Sequence, residues 1–244
     1  MRLMEIAIHN ETSLAIAYDA GLVKAPAAEY FSVEYWQDRQ AMTGQAQGRG
    51  SAWFVDAPFG PVVLRHYLRG GWAAKISRRS YLFTVVSRSR PFREFHILAA
   101  LHEQGLPVPQ PVAALCEFHG LVATGAILTA RIPGARTLAD VIAAPGFGSA
   151  AESGLWARIG DCIRRFHEVG VWHADLNARN ILLDAAAAVF LIDFDRARLT
   201  PGKTVNGKSN LNRLRRSLEK LWPPDRLNGL APAWDQLEAG YHGR

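Results

Sequence analysis

Residues 173–195 read HADLNARNILLDAAAAVFLIDFD, and three side chains in that stretch have the types and spacing for chemistry on a phosphate. Moving a phosphoryl group onto a hydroxyl needs a carboxylate that orients the nucleophile and takes its proton. It also needs hard oxygen ligands for the magnesium that bridges the phosphates. Asp175 suits the first task; Asn180, five residues on, and Asp193 suit the second. Two short apolar runs flank a turn at 184–188, so the segment reads as a hairpin that folds Asp193 back beside Asn180. A solvated turn with incidental acids would explain any one of these positions, but not the whole string.

The elements that must position these groups follow from the rest of the pattern. Residues 42–57 (MTGQAQGRGSAWFVDA) read as a glycine-dotted loop entering a strand of Trp53, Phe54 and Val55. Phe59, Gly60 and Pro61 make a turn, and Val62, Val63 and Leu64 begin the partner strand of a hairpin. Over 91–104, Phe92, Phe95, Leu98, Ala99 and His102 fall along one helical face; Gly105 ends that helix, and LPVPQPVAA follows as an extended connection. Residues 121–131 read as one or two buried strands, broken by Pro133 and Gly134. Beyond them Thr137 is placed to cap 138–144, and 155–169 carries Leu155, Ile159, Ile163 and Phe166 at helical spacing. The expectation is an α+β chain with a boundary near Ile132: 1–132 forms a small antiparallel sheet unit with one helix, and 133–244 is mainly helical.

Bulk properties exclude some classes. The 244 residues are 49% hydrophobic, enough for a full core, and 28 Lys plus Arg against 22 Asp plus Glu leave a modest basic excess. Such an excess suits an anionic ligand, a nucleic acid or an anionic membrane without choosing among them. Cys116 and Cys162 have no Cys or His at metal-ligand spacing and read as reduced thiols. The first nineteen residues lack the apolar core of a secretory signal, and the weakly polar runs 120–130 and 185–192 are far too short to span a bilayer. The reading is a soluble or peripheral protein.

The 173–195 string resembles the catalytic loop and metal-binding Asp of the protein-kinase-like superfamily. That resemblance implies a two-lobe kinase-like fold, with ATP and Mg2+ as cofactors. Asp175 is then the base, Asn180 and Asp193 are the metal ligands, and Asn177 and His173 belong to the catalytic loop. His173 is expected to hold the loop by hydrogen bonding rather than to act as a base. Gly44, Gly48 and Gly50 fall where a glycine-rich loop would cover the ATP phosphates, with Ser51 next to it, although a flexible hairpin loop explains glycines there equally well. The family's phosphate-contacting Lys aligns with Arg65, whose partner acid is Glu94; Lys75 is the alternative for that role. Three departures point away from a peptide substrate. Asn177 replaces the usual Lys, Asp195 replaces the usual Gly, and no A-P-E follows in the roughly fifty residues after Asp193. The acceptor is expected to be a small molecule or a sugar headgroup.

Two basic regions bear on which one. Residues 65–93 carry Arg65, Arg69, Lys75, Arg78, Arg79, Arg88, Arg90 and Arg93 among aromatics. Residues 209–222 (SNLNRLRRSLEKLW) set Leu211, Leu214, Leu218 and Leu221 beside Arg213, Arg215, Arg216 and Lys220. The second is either an ordinary helix with a solvated basic face or an interfacial helix on anionic lipid. Basic–aromatic interleaving also suits nucleic acid, but beside a kinase motif an anionic acceptor is the shorter explanation. Together RHYLRGGWAAKISRRSYLF, LPVPQPVAA, HADLNARNILLD, LIDFDRAR and NLNRLRRSLEK resemble the bacterial 3-deoxy-D-manno-octulosonic acid (Kdo) kinases, over about residues 48–220. The resemblance implies phosphorylation of a Kdo hydroxyl, at the 4-position, on a lipid A precursor. It places the enzyme peripherally at the cytoplasmic face of the inner membrane, with an anionic membrane surface as partner and neither nucleic acid nor an obligate protein partner. A heptose kinase would share the chemistry, and an aminoglycoside-type kinase would want an acidic pocket. A pseudokinase or lipid-binding module is kept open by Arg65 and Asp195 and opposed by the intact Asp175, Asn180 and Asp193.

Overall fold

A computed structural model describes residues 3–46, 52–67, 86–119, 122–145, 147 and 154–243. The chain divides into two compact units, one of Met1–Gly105 with Pro109–Arg131, the other of Leu106–Val108 with Ile132–Arg244. The architecture is mixed α and β.

The first unit is a seven-stranded antiparallel sheet with two α-helices among its described residues. Its elements are β1 (Ile6–Asn10), β2 (Leu14–Asp19), α1 (Val33–Asp38), β3 (Met42–Ala46), β4 (Ala52–Ala57), β5 (Gly60–His66), α2 (Arg90–Glu103), β6 (Pro111–His119) and β7 (Val122–Ala130). The strand order is β1-β2-β6-β7-β5-β4-β3. Val55, Val62, Leu64, Val112 and Leu128 are buried in one cluster with Trp36 from α1. In β4 and β5, Val55 and Val62 sit on the buried face, which is where such stiff side chains pack best. Gly60 opens β5 at φ +112°, a conformation that favours glycine, so the tight β4–β5 hairpin depends on it. Helix α2 buries Phe92, Phe95, Leu98 and Leu101. It ends where Gly105 turns to φ +72° and donates to the His102 carbonyl at 2.9 Å.

Three expectations need correction here. Helix α1 is a second helix in this unit; at six residues it is shorter than a periodicity window. Ser32 starts it, its Oγ accepting from the Tyr35 N–H at 3.2 Å. Gly44 lies inside β3 rather than in a loop, opposite Phe54, whose ring would come within 3.1 Å of a Cβ there. The Pro-rich connection gives way to β6 at Pro111, where the missing N–H does no harm at the first residue of a strand.

The second unit is built from α3 (Leu138–Ala143), α4 (Leu155–Glu168), α5 (Lys208–Leu221) and α6 (Leu230–Tyr241), with five short strands. These are β8 (Arg136–Thr137), β9 (Val171–Trp172), β10 (Ile181–Leu183), β11 (Val189–Leu191) and β12 (Arg198–Leu199). Thr137 caps α3, accepting from the Asp140 N–H at 3.0 Å. Helix α4 buries Leu155, Ile159, Ile163 and Phe166, as its spacing predicts. Burial pushes the Cys162 thiol on this helix up to about 12, which leaves it inert. Helices α4 and α6 meet at glycines: a Cβ on Gly160 would lie 2.0 Å from the Leu237 carbonyl oxygen, and one on Gly240 would lie 2.1 Å from that of Ala157. Among the described residues no helix is long and apolar enough to cross a membrane.

The α4–α6 contact yields a stability test. Gly160→Ala places a methyl against backbone that cannot rotate away, so it should cost about 1–3 kcal/mol or more, despite alanine's better helix propensity. Thermal unfolding should show a lower midpoint; an unchanged or raised midpoint would mean the helices do not approach this closely.

Candidate active site

The loop between β9 and β10 holds four of the sequence-predicted residues, and its backbone is tied down on both sides of Asp175. The Asp175 N–H donates to His173 Nδ1 at 3.1 Å. The Asp175 carbonyl accepts from Asn177 Nδ2 at 3.0 Å and from Asn180 Nδ2 at 2.8 Å. Asn177 also accepts from the Arg179 N–H at 2.8 Å, a local turn of the kind short amide side chains favour. With its main chain fully engaged, Asp175 leaves its carboxylate on the exposed side of the loop, 59% accessible.

His173 is buried, and both ring nitrogens are occupied. Since Nδ1 accepts from Asp175, Nε2 carries the proton and donates to the Ile192 carbonyl at 3.0 Å. That pattern assigns a neutral ring. Burial keeps its pKa below the ordinary histidine value, against the Ile192 carbonyl and the Asp193 and Asp175 carboxylates, which favour the charged form. His173 therefore staples the loop to the strand beside it.

That strand delivers Asp193. Strands β10 and β11 pair with Ile181 opposite Leu191, and the Ile192 N–H donates to the Asn180 carbonyl at 3.0 Å. Asp184 closes the far end, its Oδ1 accepting from the N–H groups of Ala186 at 2.9 Å and Ala188 at 2.8 Å. The hairpin thus brings Asn180 beside the chain that runs directly into Asp193. Asp193 takes φ +65°, an uncommon conformation for a residue with a side chain and one that concentrates at functional sites. Phe194 behind it is buried against His173, ring centroids 5.0 Å apart, and against Phe166 at 5.7 Å.

A divalent cation fits the chemistry of this donor set. The Asn180 amide nitrogen is committed to the Asp175 carbonyl, which fixes Oδ1 as its acceptor end, and no described residue hydrogen-bonds that oxygen. Asn180 and Asp193 would supply one neutral and one charged hard oxygen. Among the described residues there is no group of three or more His, Cys, Asp or Glu that could hold a metal. A cation bound here would take its other ligands from phosphates and water, the habit of Mg2+ rather than of Zn2+ or Ca2+.

Helix α5 is the brace that sequence reasoning missed. Ser209 Oγ accepts from Trp172 Nε1 at 2.9 Å, and Ser217 Oγ accepts from the Ala178 N–H at 3.2 Å. Between them Asn210 pairs with the main chain of His173: Oδ1 accepts from the N–H at 3.1 Å and Nδ2 donates to the carbonyl at 2.6 Å. Arg213 Nη1 donates to Asp175 Oδ1 at 3.1 Å. Asn210 Oδ1 also accepts from His167 Nε2 at 3.0 Å, and His167 Nδ1 from the Tyr241 hydroxyl at 2.8 Å. The buried stripe of α5 is Asn210, Leu214 and Leu218, with Leu211 and Leu221 only half-buried. Of the two readings of this stripe, its buried leucines fit the ordinary helix: Leu214 and Leu218 belong to this unit's own core. The available signal was Asn210, an amide at four-residue spacing before Leu214 and Leu218 where an apolar residue would otherwise sit.

In the first unit, Glu94 on α2 is buried and accepts from Arg65 Nη2 and from the Tyr67 hydroxyl. A buried carboxylate needs such partners to stay charged. Gly48, Gly50, Ser51 and Lys75 lie outside the described residues.

Two outcomes follow. Asn210→Leu keeps the size and removes both partners of the His173 main chain, at about 1–3 kcal/mol for each group left unpaired. Phosphoryl-transfer turnover should fall on the order of a hundredfold through misplacement of Asp175, and turnover at the parent rate would mean the clamp does not position the loop. The second outcome concerns pH. His173 and His167 are both held below their ordinary pKa, chiefly by burial. The unfolded chain therefore binds more protons than the folded one once pH drops below about 6.5, and stability is lost as pH falls through that range. Each ring contributes at most roughly 1.4 kcal/mol per pH unit. Denaturant midpoints should decline between pH 7 and 5.5; a flat profile would mean the rings take up protons as readily in the fold as in the unfolded chain.

The match to known proteins is broad. The family model described as "Lipopolysaccharide kinase (Kdo/WaaP) family" matches residues 33–241. The 3-deoxy-D-manno-octulosonic acid kinase of Stenotrophomonas maltophilia strain R551-3 is 47% identical over 207 residues, covering 85% of this chain and 81% of that protein. The kinase of the same name from Xanthomonas euvesicatoria pv. vesicatoria is 46% identical with the same coverage. The matched span takes in both the Arg65–Glu94 pair and the whole Asp175 loop with its brace, so this chain belongs to the lipopolysaccharide kinase (Kdo/WaaP) family and is a kinase.

Proposed function

We propose that the chain transfers the γ-phosphoryl group of ATP to the 4-hydroxyl of a Kdo residue on a lipid A precursor, in assembly of the lipopolysaccharide inner core. The observation that carries this reading is the Asp175 loop: a carboxylate exposed on a backbone fixed by four hydrogen bonds, two from Asn177 and Asn180 to the Asp175 carbonyl, one from the Asp175 N–H to His173, and one from His173 to the Ile192 carbonyl. The identity of the sugar is supported by what the relatives are named for. In this reading Asp175 orients the acceptor hydroxyl and takes its proton as the oxygen attacks the γ-phosphorus and the bond to the ADP oxygen breaks. Asn180 and Asp193 would hold Mg2+, which neutralises charge on the phosphates. Arg65, fixed by Glu94, would take the phosphate-contacting role, with Gly48, Gly50 and Ser51 at the nucleotide. The kinase-like two-lobe arrangement, with residues 1–132 binding ATP and 133–244 carrying catalysis, belongs to the same proposal.

The place of work in this reading is the cytoplasmic face of the inner membrane, reached peripherally. The exposed Arg215, Arg216 and Lys220 on α5 support an electrostatic approach to anionic lipid. Because Leu214 and Leu218 are buried, that approach rests on charge rather than on insertion of an apolar face.

The test is to incubate the purified protein with ATP, Mg2+ and a Kdo-bearing lipid A precursor, and to locate the phosphate by NMR and mass spectrometry. Asp175→Asn keeps the shape and should lower turnover by on the order of a hundredfold or more while sparing ATP binding. A phosphate elsewhere than the 4-position would correct the regiochemistry, and an Asp175→Asn variant with parent turnover would remove Asp175 as the base.

A further inference from the structure

We propose that Arg213 is the specificity residue for an acidic acceptor: it binds the sugar's carboxylate, and the ion pair it makes with Asp175 is the contact that the incoming acid displaces. This inference rests on the reading of the chain as a kinase of an acidic sugar. Arg213 is held in place through its neighbour on the same helix, since Asn210 three residues earlier is bonded to both main-chain groups of His173. The helix backbone that carries Arg213 is therefore fixed relative to the loop that carries the base. Its bond to Asp175 is a single Nη1–Oδ1 contact of 3.1 Å between side chains 45% and 59% accessible. A pair so exposed contributes little to stability, and it leaves the other N–H donors of the fork unclaimed by any described residue. A planar fork of that kind matches a carboxylate in bidentate geometry.

The chemistry gives the pair a purpose. Arg213 holds Oδ1 of Asp175, so a hydroxyl must compete with the guanidinium for that oxygen. An acceptor that brings its own carboxylate offers Arg213 a replacement partner and frees Asp175 to bond the hydroxyl of the same ring. A neutral sugar offers no replacement, so Asp175 stays engaged. Elsewhere on the exposed face of α5, Arg215 is paired with Glu219 at 3.3 Å, and among the described residues Arg213 is the only cation that hydrogen-bonds the base.

A cycle of two enzymes and two acceptors tests this. The parent and Arg213→Gln are each assayed on a Kdo-bearing acceptor and on its carboxamide, with the ATP affinity and thermal midpoint of both proteins measured alongside. The expected result is a loss of about tenfold to a hundredfold in kcat/KM when the parent meets the amide. Arg213→Gln should lose a similar factor on the acid and almost nothing further on the amide, with ATP affinity and midpoint unchanged, and Arg213→Lys should recover part of the loss. Equal losses by Arg213→Gln on both acceptors would overturn the proposal and leave Arg213 a positioning residue for Asp175; full discrimination by Arg213→Gln would overturn it outright. A parent enzyme that phosphorylates neither acceptor sinks the acidic-sugar reading and this inference with it, whereas parent turnover with either of the preceding outcomes sinks the inference alone.

Discussion

The buried amide of Asn210 meets both main-chain groups of His173, and the Asp175 loop is built outward from that contact. A buried amide with all its partners made is rigid, because any displacement leaves polar groups unpaired where water cannot replace them. From there the order runs through the His173 ring to the Asp175 N–H on one side and the Ile192 carbonyl on the other. The loop and the end of β11 are thereby one piece, and Asp175, Asn180 and Asp193 inherit their spacing from it. Helix α5 adds contacts at Ser209 and Ser217, so its register along the loop is fixed at four points by residues of one face.

Close helix packing makes that arrangement possible. Gly160 and Gly240 let α4 and α6 approach until their backbones touch, which places His167 and Tyr241 where they complete the hydrogen bonding of Asn210. Gly207 serves the same end, since a Cβ there would come within 2.3 Å of the His167 ring. The polar network is thus enclosed by side chains absent from the sequence, and the site's rigidity is as much a matter of missing methyls as of bonds made.

The first unit solves a related problem with charge. Glu94 is buried on α2, and its carboxylate is met by Arg65 and the Tyr67 hydroxyl. An Arg here differs from a Lys in kind: the fork can hold the carboxylate with one edge while presenting the other elsewhere.

The hairpin within the string from His173 to Asp195 was legible by itself, because a short hairpin leaves little freedom: Asn180 and Asp193 flank paired strands, and pairing is local. Helices α2 and α4 and the β4–β5 hairpin were legible for the same reason, their apolar periodicity and turn residues acting within a dozen positions. Helix α1 was not, being too short for its period to show. The role of α5 was not either: leucine spacing predicted an apolar stripe correctly at Leu214 and Leu218, yet nothing local says what such a stripe faces, and a lipid surface and a protein core select for the same leucines. Only the tertiary structure placed Asn210 against His173 and Arg213 against Asp175, across 37 and 38 residues of chain. Contacts of that separation depend on how whole helices pack, and helix packing at Gly160 and Gly240 is written in the absence of side chains, which no periodicity records.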